Sequence, residues 1–303
     1  MKQLPVIPFI RYRLWFCSLS VLFFVWALVG FQLKGFNYGI DFLGGAKLGY
    51  QFDRIVGEDD IRASLSDLNL GDVSVVRFGQ PDEHRMSIKI KVPEQHTEFA
   101  PIITQALEKT FGQGSVKLDQ VETVGPRVGQ EMRHKAWLTI MVSWMLMLIY
   151  IGYRFDFYFA PGAIIALVHD TVITLGFFAW LGKEINLSIL AAILTLIGYS
   201  INDTIVVFDR IREHRSRITP STVNEVVNES VNATLSRTII TSLTVLFVVV
   251  VLFFTGGGTL HDFAFALTVG VIVGTYSSIF VASPIYISLY HRWPRLVKWW
   301  SKR

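Results

Sequence analysis

The sequence predicts a polytopic α-helical membrane protein: six transmembrane helices, with one extracytoplasmic α+β domain of ferredoxin-like order (βαββαβ) between the first and second. Three observations carry that expectation. Hydrophobic residues make up 51% of the 303-residue chain, mean hydropathy is +0.44, and the apolar residues fall in long blocks, as membrane spans do. One polar region, residues 34–135, interrupts the blocks after the first and carries strand-like and helix-like patterns. Lysine and arginine collect in alternate loops.

The first block, residues 14–33, is about 20 residues long, enough to cross a hydrocarbon core of about 30 Å. It follows Lys2, Arg11 and Arg13 and shows no small-residue cleavage site, so it is expected to stay as an anchor. The other spans are expected near 136–153, 160–181, 185–208, 235–254 and 263–290, with Arg154 and Asp156 in the turn after the second. The chain then divides into an N-terminus and first span (1–33), an outer domain (34–135), the remaining bundle (136–290) with a cytoplasmic amphipathic segment at 210–234, and a basic tail (291–303).

Orientation follows from the basic residues. The N-terminus, Arg154, the cluster Arg210, Arg212, Arg215 and Arg217, and the tail HRWPRLVKWWSKR mark the cytoplasmic side; the short loops opposite hold Lys183 alone. Both termini are therefore expected in the cytoplasm and the 34–135 domain outside. Trp293, Trp299 and Trp300 suit an interfacial anchor. The net charge of +4 reads as topology and not as a nucleic-acid patch. A single cysteine, Cys17 in the first block, excludes a disulfide framework or a cysteine metal cluster.

In the outer domain, residues 47–52, 72–78, 87–92 and 116–124 favour strand. A helix over 58–68 would put Ile61, Leu65 and Leu68 on one face; a second over 98–111 would gather Ile102, Ile103, Leu107 and Phe111. The order βαββαβ is that of a split βαβ fold. His84 and His96 stand in polar loops, and nothing there resembles a catalytic constellation, so binding is the expected task. Two glycine motifs flank the domain: GIDFLGG, with Gly39, Asp41, Gly44 and Gly45, and VGPRVGQ, with Gly125 and Pro126. Either alone reads equally as a linker.

Residues 221–235 predict a helix along the cytoplasmic face, with Thr222 and Glu225 as a capping box and Val223, Val226, Val227 and Val231 as its apolar stripe. The glycosylation sequons at Asn228 and Asn232 have no meaning on that side. Gly270 and Gly274 form a GxxxG in the sixth span, read chiefly as close helix packing.

The stretch GYSINDTIVVFDRIRE, residues 198–213, sets Ser200, Asn202, Asp203 and Thr204 inside an apolar run. A carboxylate in hydrocarbon is costly enough to require a partner or a task. Asp170 in the third span and Arg237 at the start of the fifth are the other embedded charges. At 1.5 Å per residue, Asp203 lies about 27 Å from residue 185 and Arg237 about 26 Å from residue 254, nearly one depth, which predicts a pair. Separating the pair in a dry site would change the carboxylate's proton affinity, giving a switch. Snorkelling is the simpler reading of Arg237. Asp170 follows His169, but neighbouring helical residues diverge, so a His–Asp relay within that helix is not expected; Asp170 reads as a buried polar contact between helices or, second, as part of a proton path. No GxxxxGK[ST], HExxH or other strong metal spacing occurs, so no cofactor is expected and an ion gradient is a better energy source than ATP.

GIDFLGG, VGPRVGQ, ALVHDTVITLG, IGYSINDTIVVFDRIRE and LSRTIITS, in this order around a βαββαβ domain, resemble the SecF side of the SecD/SecF protein-export family over nearly the full length. Ala46 departs from a common threonine. The resemblance implies the resistance–nodulation–division superfamily, the bacterial inner membrane, and a heteromer with SecD. It further implies work beside the SecY–SecE–SecG channel, with YajC and YidC as further candidates, on unfolded preproteins outside the bilayer. It makes Asp203 the essential intramembrane aspartate and Arg237 the intramembrane arginine, with proton motive force, or sodium in some relatives, as energy. A proton-driven small-molecule exporter of the same superfamily and a non-conducting scaffold are the competing readings.

Overall fold

The computed structural model describes residues 6–68, 70, 73–77, 83–90, 99–155 and 159–300, with residues 259 and 293–300 by backbone alone. The expectations for Lys2, Asp72, Phe78, His96, Glu98 and Asp156, for residues 91–92, and for the side chains of Trp293, Trp299 and Trp300 lie outside the described residues.

Among the described residues, six helical segments are long and apolar enough to cross a membrane: Phe9–Lys34, Pro126–Arg154, Ala160–Leu181, Leu187–Glu213, Val223–Thr255 and Leu260–Arg292. The first is a 3₁₀ turn, Phe9–Tyr12, leading into α1 (Arg13–Lys34). A short strand, β1 (Asn37–Tyr38), and one helical turn, α2 (Ile40–Leu43), connect it to the outer domain. That domain comprises β2 (Gly45–Phe52), α3 (Glu58–Ser64), β3 (Ser74–Arg77), β4 (Arg85–Ile90), α4 (Phe99–Phe111) and β5 (Val116–Val124). The remaining spans are α5 (Pro126–Arg154), α6 (Ala160–Leu181), α7 (Leu187–Glu213), α8 (Val223–Thr255) and α9 (Thr259–Ser277). A π turn, Ser278–Ala282, joins α9 to α10 (Ser283–Trp300). Strand β6 (Glu184–Ile185) lies between α6 and α7 and pairs in parallel with β1.

The outer sheet is antiparallel throughout, in the order β3-β4-β2-β5. Leu48, Tyr50, Ile61, Leu65, Ile88, Ile103 and Leu107 make its core. Ile103 is fully buried, but Ile102, expected beside it, is 50% exposed. One residue is 100° around a helix, so the two cannot share a narrow core face.

Small residues set the middle of the bundle. A Cβ on Gly176 would lie 2.4 Å from Ala27 Cβ, and one on Gly30 2.5 Å from Trp180 Nε1, so α1 and α6 approach closely. Gly270 and Gly274 sit against Leu196 and Ser200, bringing α9 onto α7. Helices α6, α7 and α9 are largely enclosed; α1, α5 and α8 flank them with long exposed apolar faces.

Two span boundaries differ from expectation. α5 begins at Pro126, ten residues before position 136, because Gly125 caps it and proline suits a first helical turn. α8 is one 33-residue helix, about 50 Å long, instead of a surface helix followed by a span. Its stripe Val223, Val226, Val227 and Val231 is buried against protein. Thr222 makes no capping bond; its hydroxyl donates to the Arg217 carbonyl at 2.7 Å. The sequon asparagines hold the N-terminal strap instead, accepting from Ile10 N at 3.2 Å (Asn228) and Ile7 N at 2.8 Å (Asn232).

In the sixth span the π turn has a local cause. Pro284 has no N–H for the Phe280 carbonyl four residues back, and Cys17 Sγ donates there instead at 3.5 Å. Ser283 Oγ donates to the Ser278 carbonyl at 3.0 Å.

Candidate functional site

Asp170 sits where α6, α7 and α9 meet and is 1% exposed. Ser200 Oγ donates to its Oδ2 at 2.5 Å and Ser277 Oγ donates to the same oxygen at 2.7 Å. His169 Nδ1 lies 2.9 Å from Oδ1. This neighbouring contact contradicts the expectation from helix geometry. α6 is enclosed on most sides, so both side chains face protein, and Nδ1, the ring nitrogen nearer the backbone, curls back to the carboxylate. The other ring nitrogen, Nε2, is buried without a hydrogen-bond partner. Tyr276 stacks near this ring, its centroid 6.4 Å away; its hydroxyl donates to the Phe16 carbonyl at 2.6 Å and lies 2.9 Å from Ser20 Oγ.

Asp203, 3% exposed, points from α7 toward α8. Ser242 Oγ lies 3.4 Å from its Oδ2, long for a hydroxyl donor. Ser242 Oγ is also 2.7 Å from Thr275 Oγ1, which is 2.7 Å from the Val271 carbonyl. Thr241 also reaches the carboxylate, and the Tyr199 hydroxyl sits beside Ser242 and Thr241, so a cluster of hydroxyls from α7, α8 and α9 surrounds Asp203.

The other expected residues divide. Ser200 joins Asp170 and not Asp203. Thr204 is buried and bonds its own helix, at the Ser200 carbonyl, 3.4 Å. Asn202 is exposed on the outer face of α7. Arg237 is exposed and forms no direct ion pair with Asp203 among the described residues, but its charge acts on the carboxylate. Asp203 meets Ser242 and Thr241 of α8, and Thr241 lies one helical turn beyond Arg237 on the same face.

The glycine motifs tie the outer domain to α7. Asp41 Oδ2 accepts from Leu187 N at 2.9 Å, and Asn186 Oδ1 accepts from Ile189 N at 3.1 Å, so both cap the first turn of α7. Gly39 N donates to the Ile185 carbonyl at 2.8 Å. Gly44, at φ +74°, lets the chain turn against Pro126; a Cβ there would be 2.5 Å from Pro126 Cα. A Cβ on Gly129 would meet Gly44 N at 2.5 Å, so the two motifs pack on one another. Lys89 on β4 pairs with Glu184 of β6, and Lys183 with Asp262 at 2.6 Å.

Ser277, Ser242 and Thr275 escaped the sequence reading. Hydroxyls are frequent in these spans and most, such as Thr195 and Ser143, only bond the carbonyl four residues back. Nothing in sequence separates those from the three that reach a carboxylate or each other. The lone signal was for Ser277, three residues after Gly274 on the helix face that a GxxxG brings inward.

The fold and site define a multi-pass membrane protein whose bundle encloses two carboxylates, with an outer α+β domain strapped to the helix that bears one of them. The model described as "Protein export membrane protein SecD/SecF, C-terminal" matches residues 103–292, and the SecD/SecF GG motif matches residues 33–54. A protein translocase subunit SecF from Desulfurispirillum indicum is 44% identical, over 93% of this chain and 91% of its own. One from Petrotoga mobilis is 38% identical, over 95% and 98%. The crystal structure of SecDF, a translocon-associated membrane protein from Thermus thermophilus, superposes with a TM-score of 0.85 at 35% identity over 96% of this chain. The chain spans 40% of that solved chain's length. It belongs to the SecF branch of the SecD/SecF family of protein-export membrane proteins, translocase subunits and not enzymes.

Proposed function

We propose that the chain works with a SecD partner as a proton-coupled accessory subunit of the Sec translocase, using the proton motive force to drive late steps of protein export. The observation that carries the reading is the burial of Asp203 inside the bundle, among the hydroxyls of Ser242 and Thr241 and within reach of the Arg237 charge. Asp203 is the titrating group; Asp170 holds α6, α7 and α9 together through Ser200 and Ser277. Arg237 and Asn202, exposed near Asp203's level, face a second subunit. A proton passing from one side to the other contributes about 2.3 kcal/mol per 100 mV.

In this reading the protein lies in the bacterial inner membrane with both termini cytoplasmic. The outer domain, of ferredoxin-like βαββαβ order, meets unfolded preprotein near the SecY–SecE–SecG channel, with YajC and YidC as further neighbours. Its straps to α7, through Asp41, Gly39 and the Lys89–Glu184 pair, support movement of that domain with the carboxylate-bearing helix. Sodium is the alternative ion.

Asp203→Asn tests the reading in inverted membrane vesicles. Proton-driven completion of export is expected to be lost, with SecD association and ATP-driven initiation retained. Full completion by the variant would sink the coupling role and favour a scaffold. Replacing the proton gradient by a sodium gradient distinguishes the ion.

A further inference from the structure

At one end of the bundle a narrow apolar slot opens between α5, α6, α7 and the β1–α2 segment. Its walls include Phe36, Trp137, Ile140, Leu175, Ile189 and Ile193. Arg133, Ala136, Trp137 and Ile140 follow one another at helical spacing, so a single face of α5 runs from a cation at the mouth into the apolar depth. The run from Arg133 to Ile140 covers about 10 Å of helix.

Arg133 stands over the Tyr38 ring, 5.8 Å from its centroid, and among the described residues no ion pair includes it. The neighbouring acids are committed elsewhere: Glu131 to Arg127, Glu184 to Lys89, and Asp41 to the start of α7. His134 and Lys135 add positive or ionisable groups at the same level, both exposed. Trp137 and Tyr38 sit where aromatic rings mark a membrane boundary. An unpaired guanidinium above a narrow apolar slot, at that level of a span, is complementary to one molecule type: an anionic headgroup with an acyl chain below it.

We propose that this slot is a binding site for an anionic diacyl phospholipid of the outer leaflet. The phosphate rests on Arg133 and one acyl chain lies along Ala136, Ile140 and Ile193. Guanidinium matches phosphate in shape and charge, and the apolar walls of the slot are compatible with an acyl chain beneath it. The site stands independently of Asp203 and of proton coupling.

Native mass spectrometry of the full chain tests it, purified alone and with its co-expressed partner, with dioleoyl phosphatidylglycerol and dioleoyl phosphatidylethanolamine as competing probes. One phosphatidylglycerol is expected to be retained per chain, favoured about fivefold over phosphatidylethanolamine. Arg133→Gln is expected to abolish the preference, Arg133→Lys to keep part of it, and Ala136→Leu, which fills the slot, to remove the retained lipid. Glycerol phosphate, the headgroup without chains, is expected not to displace the lipid. Equal retention of the two lipids, an unchanged preference in Arg133→Gln, or displacement by glycerol phosphate would each overturn the proposal. So would a lipid-free slot in the complex, which would assign it to a partner's side chains. Unchanged tryptophan fluorescence in Arg133→Gln confirms that the variant is folded.

Discussion

Asp170 and Asp203 are both nearly inaccessible, on neighbouring helices of one bundle, yet they are held in opposite ways. Asp170 has three partners within 2.9 Å, from its own helix, α7 and α9. Asp203 has weaker ones, Ser242 at 3.4 Å and Thr241, with the Arg237 charge in reach. Desolvating a carboxylate costs several kcal/mol, and each hydrogen bond to a charged group returns about 1.5–3 kcal/mol. The Asp170 bonds offset most of that cost. The weaker contacts of Asp203 offset less of it, so its state depends more on what else approaches: a proton, or a charge such as that of Arg237. Burial alone does not distinguish a packing carboxylate from a working one; the count of donors does.

Replacing each by its amide gives the largest expected contrast. Asp170→Asn leaves Ser200 and Ser277 donating to a neutral group and should cost about 2 kcal/mol of stability. Asp203→Asn should cost less than about 1 kcal/mol, since little is lost. Unfolding midpoints of the two variants in one detergent check this, and equal costs would break the comparison.

Gly274→Ala sharpens it next. Its new Cβ would lie 3.0 Å from Ser200 Cβ and 3.2 Å from Ser200 Oγ, pressing on a donor to Asp170. A cost of about 1–2 kcal/mol is expected, less than additive with Asp170→Asn. Gly270→Ala would put its Cβ 2.6 Å from Cδ1 of Leu196, which is buried in the core, so it should cost about as much but without coupling to Asp170→Asn. Additive effects of Gly274→Ala and Asp170→Asn would separate that glycine from the site.

The smallest effect lies outside the bundle, where a buried polar group has no task beyond packing. Tyr50 is fully buried, and its hydroxyl lies 3.0 Å from Thr104 Oγ1. Burial pushes the Tyr50 hydroxyl up to about 12. The unfolded group ionises near 10, so the outer domain keeps this contribution below about pH 10 and loses it as pH rises toward 12. Tyr50→Phe should cost about 1 kcal/mol at neutral pH and flatten that alkaline loss. Hydrogen exchange on β2 across this range reads both.

Six spans, the outer α+β region and the embedded charges were legible because they depend on composition and period. The 160–181 span was read to the residue, since Gly182 and the turn before position 160 punctuate it. Pairing was less legible. Asp203 and Arg237 were set at one depth by counting residues from approximate span ends. The two close no direct ion pair, yet the Arg237 charge acts on Asp203, so depth was legible where contact geometry was not. The His169–Asp170 contact was dismissed on helix geometry that holds for an exposed helix; α6 is enclosed.

The sequence by itself determined that this is a multi-pass membrane protein with six stretches long and apolar enough to span, and that two carboxylates would need an explanation. Both follow from a local quantity, the cost of placing a given side chain in hydrocarbon. Only the tertiary structure decided that Asp170 is saturated with donors and Asp203 is not. That difference depends on which of many similar hydroxyls three separate helices deliver to one point, and no local property of serine or threonine encodes it.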